Sequence, residues 1–525
     1  MNVQNIVAGE FIEVEGKTFQ AINPSNEEKL PETFTAANFD AVKEALAAAT
    51  EASITFKNSE STKKAAFLRA IATEISALGD VLVDRAVAES GLPTARLLGE
   101  MGRTTGQLRM FADLVEEGSW PDVTIDTALP ERTPLPRPDL RRMLVAIGPV
   151  VVFGASNFPL AFSVAGGDTA SAFAAGCPVI VKVHPAHPGT SALVGEAIAK
   201  AAAETGMPKG VFSMLYDDGF SVGEALVKHR QTKAVAFTGS FKGGMALLKM
   251  AQERPQPIPV FTEMGSINPV LFLPAILSAQ PEQLAAKYAA SITLGAGQFC
   301  TNPGLLLAIK SPGLDLFTAA LAKRIEAVPS ATMLTPGIWQ NYQHLSKAVL
   351  AEENVELVAK SNLVNEACVN QSTATFIKVS GTAFLANHKL REEIFGPLSM
   401  LVVAEDLQQL EEIAASLDGQ LTVTVMAEKS ELPDYTNLIN TLQNICGRLI
   451  LNNPPTGVEV SSAMQHGGPF PASSDSRFTS VGTAAIYRFV RPVSWQDWED
   501  NLLPPELQAA NPLKIWRKVD NQFTK

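Results

Sequence analysis

The clearest pattern in the chain is LVAIGPVVVFGAS at residues 144–156, followed by AGGDTASAFAAG at 165–176 and CPVIVKV at 177–183. The first and third stretches are short apolar runs rich in β-branched residues, which is typical of buried strands. The second has the small residues of a closely packed helix. The alternation continues through TSALVGEAIAKAAAETG (190–206) and KAVAFTGS (233–240). Strands that alternate with helices in this way predict a parallel α/β sheet.

A second series of apolar runs predicts a second parallel sheet further along the chain. Its members are NPVLFLP (268–274), GLLLAIKS (304–311), SMLVVAED (399–406), LTVTVMAE (421–428) and GRLILN (447–452). The length of 525 residues is also too great for one ordinary core. We therefore expect two α/β lobes.

The segments that precede the first series have a different pattern. Upstream, residues 41–56, 61–78 and 96–118 place apolar side chains at helical spacing. A polar, proline-rich stretch at 128–142 then predicts an excursion from the main body.

Composition and charge exclude several classes of function. The apolar fraction is 46% and the net charge is −12, which argues against a disordered chain and against a nucleic-acid partner. No leader-like segment or membrane-length apolar run is present, so we expect a cytoplasmic protein without a membrane partner. Four scattered cysteines suit a reducing compartment, and no CxxC or HxxxH spacing predicts a metal site.

A glycine-rich turn at FTGSFKGG (237–244) follows a predicted strand and opens a predicted helix. Gly239, Ser240 and Gly244 would let a pyrophosphate approach the free N–H groups of a helix N-terminus. The same glycines are equally compatible with ordinary turn chemistry, so the turn alone does not identify a cofactor.

Six motifs in order give the chain a specific resemblance. They are ASNFPL (155–160), VIVKVHPAHP (179–188), FTGS (237–240), FTEMGSINP (261–269), GQFCTNPG (297–304) and EEIFGPL (392–398). With them the sequence resembles the aldehyde dehydrogenase superfamily, from roughly residue 20 to residue 500. The resemblance implies an NAD(P)⁺-dependent oxidation of an aldehyde, on a cofactor domain, a catalytic domain and a small β oligomerisation extension.

The resemblance assigns three catalytic roles. Cys300 is the nucleophile that forms a thioester, although a lone cysteine is more often a small buried hydrophobe. Asn157 and the backbone N–H of Cys300 stabilise the oxyanion. Glu263 is the base that activates water, and its burial is expected to raise its pKa toward neutrality.

The resemblance also assigns the cofactor side. Lys182 binds the adenosine ribose, and Glu393 and Phe395 bind the nicotinamide half. Many NAD-preferring members have a glutamate three residues beyond the lysine, whereas this chain has Pro185 there with His184 beside it. Without that carboxylate a 2′-phosphate is not repelled, so we expect NADP⁺ to be preferred and NAD⁺ to be possible.

Three stretches, at 99–120, 155–190 and 466–496, narrow the resemblance to α-ketoglutaric semialdehyde (2,5-dioxovalerate) dehydrogenases. A carboxylated aldehyde needs a cation in its pocket, and Arg103 is the candidate. Phe158 and Phe162 would line another wall, one turn apart on a helix after Asn157. The alternative for Arg103 is a surface ion pair, and the alternative substrate is a long-chain fatty aldehyde.

Two further alternatives belong to other classes, namely a coenzyme A-acylating dehydrogenase and an inactive binding protein on the same scaffold. Glu263 argues against the first, and the joint presence of Cys300, Glu263 and Asn157 argues against the second. We expect a cofactor domain at 1–127 and 147–262, a catalytic domain at 263–477, and an extension with tail at 128–146 and 478–525. A strand pair in that extension would complete a partner's sheet, which predicts a homodimer or homotetramer.

Overall fold

Two seven-stranded sheets form the centre of the computed structural model, which describes residues 1–525. The helices are α1 (Phe39–Phe56), α2 (Ser61–Ser90), α3 (Thr94–Glu117), α4 (Gly167–Ala175), α5 (Pro188–Glu204), α6 (Ser221–Lys228), α7 (Phe241–Gln252), α8 (Pro274–Ala279), α9 (Pro281–Thr293), α10 (Pro312–Glu326), α11 (Pro336–Leu350), α12 (Gly381–Ala386), α13 (Leu407–Ala415) and α14 (Thr436–Ile445). None of them combines the length and apolar character needed to cross a bilayer.

The strands have two to seven residues each. They are β1 (Asn5–Val7), β2 (Glu10–Ile12), β3 (Thr18–Ile22), β4 (Lys29–Thr35), β5 (Thr124–Asp126), β6 (Leu140–Ala146), β7 (Val150–Phe153), β8 (Val179–Lys182), β9 (Phe212–Leu215), β10 (Ala234–Thr238), β11 (Val260–Glu263), β12 (Val270–Phe272), β13 (Leu305–Ile309), β14 (Ala331–Thr332), β15 (Glu356–Lys360), β16 (Gln371–Ser372), β17 (Thr375–Ser380), β18 (Leu398–Ala404), β19 (Gln420–Met426), β20 (Cys446–Leu451), β21 (Val490–Gln496), β22 (Arg517–Val519) and β23 (Gln522–Thr524).

The first sheet has the strand order β11-β10-β7-β8-β9-β1-β2. Its first five strands are parallel, and β1 and β2 add an antiparallel edge. Strand β8 is fully buried and β7 nearly so, as expected for a sheet covered by helices on both faces. The predicted parallel α/β sheet is confirmed.

The second sheet has the order β15-β17-β18-β13-β12-β19-β20 and is parallel except for β15. All five apolar runs of the second predicted series lie in it. Strand β17 was not among them because its Lys378 interrupts the apolar run. Two buried clusters, one on each face, form the core of this lobe.

A third sheet has the strand order β21-β6-β5-β22-β23. Gly148 has a φ of +114°, and this turn divides the apolar run at 144–156 between β6 in the third sheet and β7 in the first. Strands β6 and β21 pair antiparallel over seven residues each. Residues 483–489 pack into the first core, where Ile486 and Phe489 are buried, and strand β21 of the third sheet begins at Val490.

Several of the site residues predicted from the sequence lie together at the carboxyl ends of the parallel strands of the first sheet. Asn157 follows β7, Lys182 ends β8, Gly239 follows β10 and Glu263 ends β11. Ligand sites of open α/β sheets lie at this edge, so the fold itself positions a candidate site there.

Candidate active site

Cys300 lies in a tight turn after α9. Gly295 and Gly297 precede it with φ values of +56° and +66°, a conformation that side chains other than glycine disfavour. A Cβ atom on Gly297 would lie 2.3 Å from the backbone of Gly396. Burial raises the pKa of the Cys300 thiol well above its usual value, and the nearby Glu263 carboxylate raises it further.

A buried amide ties the Cys300 turn to the segment after Glu263. Asn268 Nδ2 donates to the carbonyl oxygens of Cys300 at 2.8 Å and Asn302 at 2.9 Å. Gln420 Oε1 in turn accepts from the Ile267 and Asn268 backbone N–H groups at 3.0 and 3.2 Å. Sequence patterns gave no sign of this network, because its members come from three separate parts of the chain.

Glu263 is 3% exposed at the end of β11. Ser480 Oγ donates to its Oε2 atom at 2.6 Å, and His466 Nε2 lies 3.0 Å from its Oε1 atom. Burial alone would raise the pKa of Glu263. The imidazole of His466, with smaller contributions from Ser480 and Cys300, outweighs burial and lowers that pKa below its usual value. The expected rise toward neutrality was therefore wrong.

His466 is the site residue that the sequence reasoning missed. Its Nε2 atom lies 3.5 Å from Cys300 Sγ, and the ring is almost fully buried. Its Nδ1 atom has no hydrogen-bond partner. The one feature of the sequence that could have identified His466 is its position at the start of the glycine-containing stretch HGGPFPAS (466–473). No spacing rule links a histidine there to a cysteine 166 residues earlier.

Asn157 faces the same turn from the other side. Its side-chain Nδ2 atom donates to the Gln298 carbonyl oxygen at 3.2 Å. The backbone carbonyl oxygen of Asn157 accepts from Arg96 Nη2 at 3.0 Å. One N–H of the amide is thus used to hold Asn157 against the Cys300 segment. The second N–H is free to donate to a reacting oxygen.

Phe158 and Phe162 are buried together, with ring centroids 5.3 Å apart, but they are not on a helix. The chain forms turns until α4 begins at Gly167, so the predicted helix after Asn157 was wrong. The physical reason is Glu100, whose Oε1 atom accepts from the backbone N–H groups of residues 160 and 161 at 2.8 and 3.0 Å. These contacts satisfy the backbone without a helical ladder.

Arg103 lies on α3 with its guanidinium 5.3 Å from the Phe162 ring centroid and 5.9 Å from that of Phe158. Its Nε and Nη2 atoms are buried and have no hydrogen-bond partner. Its positive charge acts on Cys300, where it partly opposes the rise in pKa. The neighbouring Arg96 is by contrast engaged with Asn157 and Glu100.

Lys182 and His184 lie at the end of β8 and beyond. Lys182 is 9% exposed and its only hydrogen bond is a long one, 3.4 Å, to the Asp217 carbonyl oxygen. Burial lowers the pKa values of both residues. His184 Nδ1 accepts from the Ala186 N–H at 3.1 Å, which leaves Nε2–H as a donor. Pro185 is half-buried between them and His187.

The glycine-rich turn opens α7 as predicted. Ser240 caps the helix by accepting from the Gly243 N–H at 3.2 Å, and the Gly239 N–H donates to the Glu263 carbonyl oxygen at 3.0 Å. A Cβ atom on Gly244 would lie 2.6 Å from Met264 Sδ, so the glycine lets α7 pack closely against the Met264 side chain. The N-terminus of α7 therefore offers N–H groups to an anion beside Glu263.

Glu393 and Phe395 line a cleft of about 450 Å³ together with Phe299. Burial raises the pKa of Glu393 to about 7. A Cβ atom on Gly265 would overlap Glu393 Oε2, so the Glu393 carboxylate packs directly against this glycine. A dinucleotide has an anionic pyrophosphate at its centre and a ribose with hydroxyl groups on each side. The α7 N-terminus fits the pyrophosphate, and Lys182 and Glu393 fit the two riboses.

The fold and the cluster of side chains around Cys300 are in place, and comparisons with known proteins identify the family. The model of the Aldehyde dehydrogenase family matches residues 11–477, and the chain belongs to this family. It is 50% identical to Alpha-ketoglutaric semialdehyde dehydrogenase 2 of Azospirillum brasilense, over 98% of both chains. It is 45% identical to Alpha-ketoglutaric semialdehyde dehydrogenase of Acinetobacter baylyi, over 100% of this chain and 99% of the relative. The crystal structure of betaine aldehyde dehydrogenase from Staphylococcus aureus with NAD⁺ is similar in fold, with a TM-score of 0.81, 19% identity, and coverage of 94% and 95%.

Proposed function

We propose that this aldehyde dehydrogenase oxidises α-ketoglutaric semialdehyde to 2-oxoglutarate, through a thioester on Cys300 that water then hydrolyses. Two relatives that match the whole chain carry that substrate in their names. Glu263 lies within 4.8 Å of the Cys300 sulfur, and Asn157 is hydrogen-bonded to Gln298 in the Cys300 turn; this arrangement of three distant segments carries the chemistry.

Acylation begins with the thiol of Cys300. Because its pKa is raised, the thiol is protonated at rest and must lose its proton as it attacks the aldehyde carbon. Glu263 takes that proton, since its carboxylate is within 4.8 Å of the sulfur and its lowered pKa keeps it ionised. The free N–H of Asn157 stabilises the oxyanion of the tetrahedral adduct.

Bound NAD(P)⁺ would supply the hydride acceptor that conversion of this adduct into a thioester needs. Lys182, the α7 N-terminus and Glu393 would hold its ribose, pyrophosphate and second ribose. Glu263 then acts a second time, as the base that removes a proton from water attacking the thioester. A hydrolytic base at this position argues against acyl transfer to coenzyme A.

Arg103 is the proposed anchor for the carboxylate of the substrate. Its two unpartnered, buried nitrogen atoms can donate to both oxygens of one carboxylate, in the bidentate geometry that guanidinium favours. The surrounding wall of Phe158 and Phe162 excludes water from that contact. A fatty-aldehyde dehydrogenase would leave this buried cation without a partner, at a cost in stability.

NADP⁺ is the proposed preferred cofactor. Pro185 provides no carboxylate to repel a 2′-phosphate, and Lys182 and the Nε2–H of His184 are donors within three residues of it in the chain. Both cofactors remain usable, because no group at this position excludes the hydroxyl of NAD⁺.

The architecture supports a cofactor domain built on the first sheet, a catalytic domain built on the second, and an extension built on the third. Strand β21 forms one edge of the third sheet and β20 one edge of the second. An unpaired edge pairs readily with another chain, so we propose that the extension completes a partner's sheet in a homodimer or homotetramer. Light scattering on the purified protein tests this.

An aldehyde panel assayed by cofactor reduction tests the proposed activity. It contains α-ketoglutaric semialdehyde, uncharged aldehydes of similar length and long aliphatic aldehydes, each with both cofactors and with or without coenzyme A. We expect the highest kcat/KM for the semialdehyde, with NADP⁺, and no dependence on coenzyme A. A preference for long aliphatic aldehydes, or a requirement for coenzyme A, would replace the proposal with the corresponding alternative.

A further inference from the structure

Three side-chain atoms of kinds that bind metal ions lie close together, and one of them is the sulfur of the proposed nucleophile. The reactive atoms of Cys300, His466 and Glu263 all lie within 4.8 Å of one another. Cys300 Sγ is 3.5 Å from His466 Nε2, and His466 Nε2 is 3.0 Å from Glu263 Oε1. That carboxylate oxygen is buried and lacks an aligned hydrogen-bond partner of its own. Its polar neighbour is the imidazole nitrogen of His466, and a cation bound between the two atoms would replace the proton that they otherwise share.

The spacing of these atoms matches what a tetrahedral zinc ion requires. With Zn–S near 2.3 Å and Zn–N and Zn–O near 2.1 Å, tetrahedral angles place sulfur about 3.6 Å from nitrogen and nitrogen about 3.4 Å from oxygen. The observed sulfur–nitrogen and nitrogen–oxygen separations, 3.5 and 3.0 Å, differ from these values by a few tenths of an ångström, and the sulfur and the carboxylate oxygen lie within 4.8 Å of each other. We propose that Cys300, His466 and Glu263 form a Zn²⁺ site that inhibits the enzyme reversibly.

Neighbouring residues orient the Glu263 ligand but not the His466 ligand. Ser480 donates to Glu263 Oε2 and leaves Oε1 for the ion, as a supporting contact in a metal site does. His466 Nδ1 has no partner, although zinc-bound histidines usually donate from their second nitrogen. Absence of that contact costs about 10–100-fold in affinity. The site is therefore weaker than a structural zinc site, which suits reversible inhibition.

The binding step balances without any redox change. A bond forms between Zn²⁺ and Cys300 Sγ, the S–H bond breaks, and the proton is released to solvent. Three protein ligands leave one position for water. The bound ion occupies the nucleophile and the base together, so both acylation and hydrolysis stop. This inference goes beyond the proposed function, because it is a metal site assigned from geometry alone.

Cobalt(II) provides a test that needs no substrate. Titration of the full-length protein with Co²⁺ should give tetrahedral visible bands and a thiolate charge-transfer band in the near ultraviolet. Zn²⁺ should displace the cobalt, and calorimetry should find one Zn²⁺ per protomer. In a separate assay the same Zn²⁺ concentration should suppress cofactor reduction, and a chelator should restore it.

Matched variants make the result specific. Cys300→Ala should abolish the charge-transfer band, and His466→Gln should weaken Zn²⁺ binding about tenfold or more. The controls Cys368→Ser and His344→Gln alter a cysteine and a histidine far from the cleft and should leave binding unchanged. Zn²⁺ bound equally by the parent, Cys300→Ala and His466→Gln, or no cobalt band in the parent, would overturn the proposal. Circular dichroism identifies a variant that has lost its fold. These binding readouts are independent of whether the enzyme oxidises any aldehyde.

Discussion

Ser480 Oγ lies 2.6 Å from Glu263 Oε2, although the two residues are 217 positions apart in the sequence. This hydrogen bond fixes one carboxylate oxygen and directs the other toward His466 and Cys300. It also contributes to the lowered pKa of Glu263, because a donor stabilises the ionised form. The base of the proposed mechanism is thus positioned by the segment that follows the second lobe.

Glu263→Gln should separate the two halves of the reaction. Glutamine cannot accept a proton, so it cannot activate water against the thioester. We expect one burst of reduced cofactor per active site, slower than in the parent, followed by steady-state turnover reduced by about 10²–10⁴-fold. Rapid-mixing absorbance measures both phases. Cys300→Ser is the control, and it should show no burst. Unchanged steady-state turnover in Glu263→Gln would assign water activation to another group.

Ser480→Ala should change the pH profile of thioester hydrolysis. In the parent the pKa of Glu263 is lowered, so the carboxylate base is present through the neutral range and is lost only as pH falls through that low pKa. Removal of the hydroxyl donor raises the pKa of Glu263 and moves the acid limb of single-turnover hydrolysis to higher pH. An acid limb at the parent's position would show that the Ser480 hydroxyl does not tune Glu263.

The two sheets and the residues at their carboxyl edges were predictable from the sequence, because apolar periodicity reports buried strands directly. Cys300, Glu263 and Asn157 came from motifs around them. The division of one apolar run at Gly148 was not predictable, since both halves have the composition of a strand and only the positive φ separates them. The turn around Phe158 was missed because a distant carboxylate, Glu100, stabilises it.

His466 and the direction of the Glu263 pKa shift were beyond sequence reasoning for one physical reason. Both depend on contacts between segments that the chain brings together only on folding. Burial of a carboxylate predicts a raised pKa, and the partners that reverse the sign come from residues 466 and 480. A pattern within one segment cannot report those partners.

Pro185→Glu should shift cofactor preference toward NAD⁺. The new carboxylate would accept from the ribose 2′-hydroxyl of NAD⁺ and repel the 2′-phosphate of NADP⁺. We expect the parent to have kcat/KM for NADP⁺ at least equal to that for NAD⁺, and the ratio to fall about tenfold or more in the variant. Pro185→Gln is the neutral control and should change the ratio less. A parent that strongly favours NAD⁺ would remove Pro185 as the determinant.

Glu393 should make NAD⁺ binding depend on pH. Its pKa is raised to about 7, so its carboxylate is mostly protonated at pH 6 and mostly ionised at pH 8. If the ionised form accepts from the ribose hydroxyls, the Kd for NAD⁺ should fall about tenfold between those values. NAD⁺ is used because it has no titrating 2′-phosphate. Glu393→Gln should flatten the profile, and the exposed neighbour variant Glu392→Gln should retain it. A flat profile in the parent would exclude Glu393 as the titrating acceptor.

Arg103→Leu should identify the substrate anchor. If Arg103 holds the carboxylate of the semialdehyde, its removal leaves a buried anion without its partner, which costs about 2–5 kcal/mol. The loss of one to three decades or more should fall on α-ketoglutaric semialdehyde. Uncharged aldehydes of similar length never use the contact, so their kcat/KM should stay the same or improve as the pocket becomes apolar.

The deciding quantity is the ratio of kcat/KM values for the two substrates within each enzyme, because a general effect on folding or on Cys300 cancels in that ratio. Arg109→Leu, an exposed arginine on the same helix α3, is the matched control and should leave the ratio unchanged. Arg103→Lys keeps the charge but loses the two-pronged donor geometry, so it should recover part of the preference. A ratio that is equal in the parent and in Arg103→Leu would show that the unpartnered nitrogen atoms of Arg103 do not bind the carboxylate.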